Sequence, residues 1–195
     1  MKNKITLAAL ALCLCATANA NVLVNGDFES GLTGWSLTGV AGIAGTPYFG
    51  GGSFAANGAL MAVFNQGEQQ ASGVLSQSFA TVAGHTYHVN FDYGTNNGNW
   101  QQINAVVAAQ DHSVLSSGYY AAPGPALQAF GFDFVATSGM STLTFNDVPG
   151  NWTYSTDGLL DNVVVAEASK VPEPASLALL MVGLAGLGAL RRRAR

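Results

Sequence analysis

Residues 21–169 contain no lysine, no arginine and no cysteine. The missing cysteine excludes disulfides, thiol catalysis and cysteine-based metal sites from this stretch. The missing basic residues exclude salt bridges to lysine or arginine. They also exclude nucleic acid as a partner, because phosphate binding depends on cationic side chains. The seven basic residues of the chain lie at positions 2 and 4 or from position 170 onward.

The same stretch is strongly acidic. Acidic side chains without basic partners either keep a surface soluble or gather around a cation, and calcium suits hard oxygen ligands outside the cell. The acidic residues are Asp27, Glu29, Glu68, Asp92, Asp111, Asp133, Asp147, Asp157, Asp161 and Glu167. Anionic polymers, like nucleic acid, are expected to be repelled by them.

Helical periodicity is almost absent between residues 21 and 169. Short runs rich in valine, phenylalanine, tyrosine and threonine are broken by glycine, asparagine, serine and proline, which is typical of strands joined by turns. The clearest alternation puts Tyr87, Val89 and Phe91 on one strand face. Strands are predicted near 22–25, 35–41, 54–64, 73–81, 84–93, 102–110, 113–120, 126–136, 140–147 and 158–166. This number of strands favours an all-β domain over 21–167, a jelly-roll β-sandwich of two sheets.

The first 20 residues have the layout of a secretory signal peptide. Two lysines precede an apolar stretch, and residues 18–20 (Ala-Asn-Ala) have the small-x-small pattern that signal peptidase accepts. Cleavage before Asn21 removes both cysteines of the chain. A lipoprotein is the alternative because Cys13 and Cys15 lie in the apolar stretch, but leucine precedes each of them where a lipobox has a small residue.

The C-terminal region has three consecutive pieces. A linker over 168–176 contains two prolines around a glutamate, an uncharged apolar run covers 177–190, and residues 191–195 are rich in arginine. The apolar run predicts a short transmembrane helix, about 21 Å long at ~1.5 Å per residue, against a hydrocarbon core ~30 Å thick. The arginine-rich tail favours the cytoplasmic side, which leaves the domain outside.

This order of pieces resembles the PEP-CTERM sorting signal of Gram-negative bacteria. The expected motif is Val171, Pro172, Glu173 and Pro174, whose prolines deny helix formation and hold the segment extended. The resemblance implies processing by exosortase, a transpeptidase-like membrane enzyme. It also implies a precursor anchored in the inner membrane that then reaches the cell surface or extracellular matrix. An unprocessed tail anchor is the alternative.

The region before the tail resembles galactose-binding-like jelly rolls, the fold of many carbohydrate-binding modules. The resemblance begins with residues 21–29 (Asn-Val-Leu-Val-Asn-Gly-Asp-Phe-Glu) and Gly34-Trp35. It continues through 84–87 (Gly-His-Thr-Tyr) to 160–165 (Leu-Asp-Asn-Val-Val-Val), and so covers nearly all of 21–167. It implies that Trp35 is a core residue, but the fold hosts many functions and does not identify a ligand.

The resemblance also implies a structural calcium ion between the first and last strands. Asp27 or Glu29 would meet Asp161 there, and the ion would join the two ends of a domain without disulfides. In the alternative reading, Asp27 caps a turn and Asp161 accepts hydrogen bonds from backbone amides.

Two predicted loops carry the residue types that bind sugars, which are exposed aromatic rings beside amide groups. The loop 94–102 offers Trp100 with Asn97, Asn99 and Gln101, and the loop 149–158 offers Trp152 and Tyr154. Loop tryptophans also commonly pack over the end of a sheet, which is the alternative role for both.

No pattern for catalysis stands out, so an enzyme is not expected. A glycosidase needs two carboxylates at a set separation, and Asp92 with Asp133 is the available pair. The sequence therefore predicts an exported, exosortase-sorted surface or matrix protein with a non-catalytic carbohydrate-binding β-sandwich. Its expected partners are signal peptidase, exosortase, extracellular polysaccharide and the membrane. The alternative is a purely structural or adhesive surface protein without a glycan ligand.

Overall fold

The computed structural model describes residues 20–46, 48, 58–97, 99–122, 124–151 and 154–168. Within these ranges the chain forms ten strands and no helix. The strands are β1 (Ser36–Thr38), β2 (Ala41–Gly45), β3 (Leu60–Phe64), β4 (Val74–Ala80), β5 (Thr86–Thr95), β6 (Gln101–Ala109), β7 (Val114–Ala122), β8 (Gln128–Val135), β9 (Met140–Asp147) and β10 (Gly158–Glu167). The all-β prediction is confirmed.

Several predictions fall on residues outside these ranges. They are the signal peptide up to residue 19, the sorting motif 171–174, the apolar helix 177–190, the arginine-rich tail 191–195, and Trp152. Across the described part of the chain, no helix is both long and apolar enough to span a membrane.

The strands form two antiparallel sheets of five. Sheet A has the order β1-β4-β9-β6-β7, and sheet B has the order β2-β3-β10-β5-β8. The sheets pack face to face, so alternate residues of each strand enter the core. On β5, for example, Tyr87, Val89 and Phe91 are buried as predicted, while His88 and Asn90 face solvent.

Aromatic rings fill the middle of the sandwich. The ring of Phe91 lies 5.0 Å from those of Tyr120 and Phe145 and 5.8 Å from that of Phe130. These contacts join β5 and β8 of sheet B to β7 and β9 of sheet A. Burying a phenylalanine side chain of this kind contributes roughly 1.5–3 kcal/mol to stability.

The N-terminal segment lies against β10, although it does not form the strand predicted at 22–25. The amide of Val22 donates to the carbonyl of Val165 (2.8 Å), but Asn25 has φ 53°, which ends any extended conformation. The chain then turns so that the amide of Val163 donates to the carbonyl of Gly26 (2.8 Å). Asn25 also accepts a hydrogen bond from the buried indole of Trp35 (2.9 Å), the predicted core tryptophan.

The direction of β10 defines two ends of the sandwich. At its first residues lie the loop residues 65–73, 96–97, 99–100, 148–151 and 154–157, which we call the loop end. At its last residues lie the turns 81–85 and 136–139 and residue 168, which we call the tail end. The ten residues of β10 separate the two ends by roughly 33 Å at ~3.3 Å per residue.

Candidate functional site

Two loops that are distant in sequence meet at the loop end. Asn96 and Asp157 join them through three hydrogen bonds. The amide of Asn96 donates to the carbonyl of Asp157 (3.2 Å), the amide of Asp157 donates to Asn96 Oδ1 (2.9 Å), and Asn96 Nδ2 donates to Asp157 Oδ2 (3.2 Å). The loop after β5 is therefore fixed to the residues that lead into β10.

The predicted sugar-binding amides extend this connection. Asn97 Nδ2 donates to the carbonyl of Ser155 (2.6 Å) and to Thr156 Oγ1 (2.9 Å), and Asn99 Nδ2 donates to the same hydroxyl (2.9 Å). Gln101 is fully buried, and its Nε2 donates to the carbonyl of Thr156 (3.1 Å). Gln101, one of the residues predicted to bind a sugar, is therefore not exposed to solvent in this structure. Asn97 and Asn99 use their side-chain Nδ2 groups to join the two loops. These groups are the hydrogen-bond donors that a bound sugar would need.

Two of the predicted aromatic residues are exposed at this end. Trp100 is 49% exposed and Tyr154 is 68% exposed, and they belong to the two loops that the amides join. Trp152, in the same loop as Tyr154, lies outside the described residues. The indole of Trp100 is thus on the surface, in contrast to the buried indole of Trp35.

A cleft lined by polar residues opens at the same end, between the two joined loops and residues 67 and 68. Its volume is about 520 Å³, within the size range of ligand pockets. It is lined by Gly67, Glu68, Asn96, Asn97, Ser155 and Asp157. Two carboxylates thus face the cleft, and none of the described residues that line it is basic. Ser155 Oγ donates to one of the two, Glu68 Oε1 (3.0 Å).

The carboxyl group of Asp157 has a raised pKa. Burial raises its pKa to about 6, and the negative charge of Glu68 adds to the rise, while a hydrogen bond from the hydroxyl of Tyr48 (3.0 Å) opposes it. Burial likewise raises the pKa of Tyr48 well above its ordinary value, so this hydroxyl stays a neutral donor.

A second buried carboxyl lies where β9 ends. Asp147 Oδ1 accepts from Asn151 Nδ2 (2.5 Å) and from the amide of Val148 (3.0 Å), while Oδ2 has no hydrogen-bond partner among the described residues. Burial raises the pKa of Asp147 to about 6, against the lowering effect of the Asn151 hydrogen bond. Sequence reasoning missed this residue, although the alternation Leu143, Phe145, Asp147 on β9 signals that it points inward.

The three residues predicted to bind calcium are all described, and they occupy different surroundings. Asp161 is fully buried, and its Oδ1 accepts from the amide of Asn162 (2.6 Å). Glu29 Oε1 accepts from the amides of residues 59 and 60, both at 2.7 Å. Asp27 is half-buried and follows Gly26, which is hydrogen-bonded to β10. No group of three histidine, cysteine, aspartate or glutamate side chains within the described ranges is placed to hold a metal ion.

The carboxylates considered for glycoside hydrolysis do not face each other. Asp133 pairs with His88 across β5 and β8, whereas Asp92 lies opposite Ala129 and accepts from Asn162 Nδ2 (3.2 Å). Both acids lie on the outer face of sheet B.

Comparison with known proteins gives one kind of match for the tail and another for the domain. Residues 170–193 match the PEP-CTERM protein-sorting motif, which confirms the resemblance of the tail and indicates an exported protein that exosortase sorts. No curated protein matches the chain.

Solved structures with the same fold include carbohydrate-binding modules. The module TmCBM61, solved in complex with beta-1,4-galactotriose, superposes with a TM-score of 0.59 at 18% identity, over 76% of this chain and 99% of that one. A CBM4 module gives 0.53 at 16% identity, over 75% and 99%. The CBM22-1-CBM22-2 tandem from Paenibacillus barcinonensis Xyn10C gives 0.56 at 14%, over 82% and 49%. These likenesses confirm the jelly-roll β-sandwich.

Proposed function

We propose that this chain is a non-catalytic carbohydrate-binding protein that is exported and sorted to the cell surface or extracellular matrix. The observation that carries the proposal is the polar cleft at the loop end, with Trp100 and Tyr154 exposed in the loops beside it. The sorting motif of the tail supports the location, and the shared fold supports the class of ligand.

The chemistry of this end suits a neutral glycan. Aromatic rings stack on the apolar C–H faces of sugars, and carboxylates accept hydrogen bonds from sugar hydroxyls. In the cleft, the carboxylates of Asp157 and Glu68 can accept hydrogen bonds from sugar hydroxyls. The side-chain amides of Asn97 and Asn99 already donate within the protein. An anionic polysaccharide is disfavoured, because the domain has ten acids and no lysine or arginine between residues 21 and 169.

Substitution of the loop aromatics tests this proposal. We expect Trp100→Ala, Trp152→Ala and Tyr154→Ala each to weaken binding of a soluble neutral oligosaccharide about tenfold, equivalent to about 1.4 kcal/mol. Isothermal titration with oligomers of β-1,4-linked galactose and glucose provides the measurement. Tyr119→Ala is the matched control, since this exposed tyrosine lies on β7 away from the cleft lining. Absence of binding to every neutral glycan tested would contradict the proposal.

A structural or adhesive role without a glycan ligand is the second candidate. The specific observation in its favour is that Asn97, Asn99 and Gln101 serve the internal connection of two loops. A matrix defect on deletion, together with no glycan binding by the folded protein, would identify this role.

The processing of the two ends is also proposed. We expect signal peptidase to cleave before Asn21 and exosortase to act at the motif 171–174, with the precursor held in the inner membrane by 177–190. Cell fractionation with intact-mass measurement of the native protein tests both ends together. Recovery of the uncut 195-residue chain from the cytosol would contradict this account.

A structural calcium ion is proposed at the junction of the N-terminal segment and β10. Asp27 and Asp161 would hold it together with backbone carbonyls, and Glu29 is left out because amides at 59 and 60 occupy its Oε1. Calcium bound only by the folded state raises stability by about 2.7 kcal/mol at a hundredfold excess over Kd. We therefore expect a chelator to lower the melting temperature by several degrees. An unchanged melting temperature would show that this site is absent.

A further inference from the structure

The edge strand β7 differs from the other edges of the two sheets. It is nine residues long, contains neither charge nor proline, and no further strand pairs with it among the residues described. Of the other edges, β1 has three residues and β2 has five, and β8 carries Asp133. Soluble proteins usually protect their edges by short length, charge or proline, because an open edge pairs with another strand.

The outer face of sheet A that adjoins β7 is also uncharged. Its solvent-facing residues are small or neutral, so the acids of the domain all lie elsewhere. These residues are Ser36 and Thr38 on β1, Val74, Ser76, Ser78 and Ala80 on β4, Met140, Thr142, Thr144 and Asn146 on β9, Gln102, Asn104, Val106 and Ala108 on β6, and Val114, Ser117, Tyr119 and Ala121 on β7.

We propose that β7 pairs with β7 of a second copy of this chain, so that two copies of sheet A form one continuous ten-stranded sheet. A cationic partner would be drawn to the acids, which β7 lacks. A second copy offers an edge of the same length and the same neutrality. Antiparallel pairing about a two-fold axis is self-complementary, because the same backbone groups meet on both sides.

The proposed axis lies at the middle of β7. Gly118 is the centre of the uncharged segment 114–122, and exposed side chains flank it at Ser117 and Tyr119. The strand is already held rigid, because Tyr120 points into the core, 5.0 Å from the ring of Phe91 and 5.5 Å from that of Phe130. A rigid edge loses little conformational freedom when it pairs.

Sedimentation velocity of the exported chain over a range of concentrations tests the proposal. We expect a reversible monomer–dimer equilibrium. Ser117→Glu brings two negative charges together near the axis and is expected to raise the dimer dissociation constant at least tenfold. Ser36→Glu is the matched control on the opposite edge of the same sheet, and its effect should stay within twofold.

Each other outcome overturns the proposal. A monomer up to 100-micromolar concentration excludes pairing of copies. A dimer that Ser117→Glu leaves intact, or that Ser36→Glu weakens equally, places the interface elsewhere. Open-ended assembly also excludes it, because a two-fold contact closes after two copies. Unchanged circular dichroism of both variants shows that folding is not the cause of any effect.

Discussion

Gly26→Ala is expected to lower the free energy of unfolding by about 3 kcal/mol, at the upper end of what overpacking usually costs. A Cβ atom at this position would lie 1.9 Å from the carbonyl oxygen of Val163, a backbone atom that cannot turn aside as a flexible side chain does. Relief requires the two segments to separate. Separation breaks the hydrogen bond from the amide of Val163 to the carbonyl of Gly26.

The effect is large because Gly26 lies where the start and the end of the domain meet. At roughly 2–4 °C per kcal/mol for a domain of this size, thermal unfolding should occur about 10 °C lower. Gly150→Ala is the matched control, since an added Cβ there meets no atom of the described residues within 4 Å. Equal melting temperatures of the two variants would show that an added Cβ at Gly26 does not destabilise the domain.

The domain is expected to become more stable as the pH falls from 7.5 to 5, opposite to the usual acid destabilisation. The pKa values of Asp147 and Asp157 are about 6 in the folded state, against an ordinary 3.8. The folded state therefore binds more protons between these values, and stability is lost as the pH rises through 6. Each group contributes roughly 1–3 kcal/mol, since one pKa unit corresponds to about 1.4 kcal/mol.

Urea unfolding at pH 5 and pH 7.5 measures this dependence. Asp147→Asn should stabilise the protein at pH 7.5 and flatten the profile, because the neutral amide has no charge to bury. Asp111→Asn is the matched control, since hydrogen bonds from Ser113 lower the pKa of this exposed carboxyl. A wild-type protein that loses stability between pH 7.5 and pH 5 would contradict the burial of both charges.

The features that could be predicted from sequence are those set by local pattern. Alternation on β5 gave the buried face of Tyr87, Val89 and Phe91, and the order of pieces in the tail gave the sorting motif. The strand predicted at 22–25 is wrong because a positive φ at Asn25 turns the chain. The dipeptide Asn25-Gly26 is a turn signal, and the prediction extended the strand into it.

The candidate site was only partly predictable, because it depends on contacts between residues far apart in the chain. Trp100 and Tyr154 are exposed as expected of ligand-binding aromatics. The amides predicted beside them also connect two loops, and Asn96 of the same loop bonds to Asp157, 61 positions away. Composition showed that the acidic side chains lack basic partners, but only the folded structure shows which of these side chains are buried away from water.

The opposite placement of the loop end and the tail end has a consequence for how the domain is presented. Residue 168, from which the sorting tail continues, lies at the finish of β10, whereas the cleft lies at its start, roughly 33 Å away. The described chain thus reaches the sorting tail at the end of the domain remote from the cleft. A glycan bound as proposed would lie about the length of β10 from the residue where the tail begins.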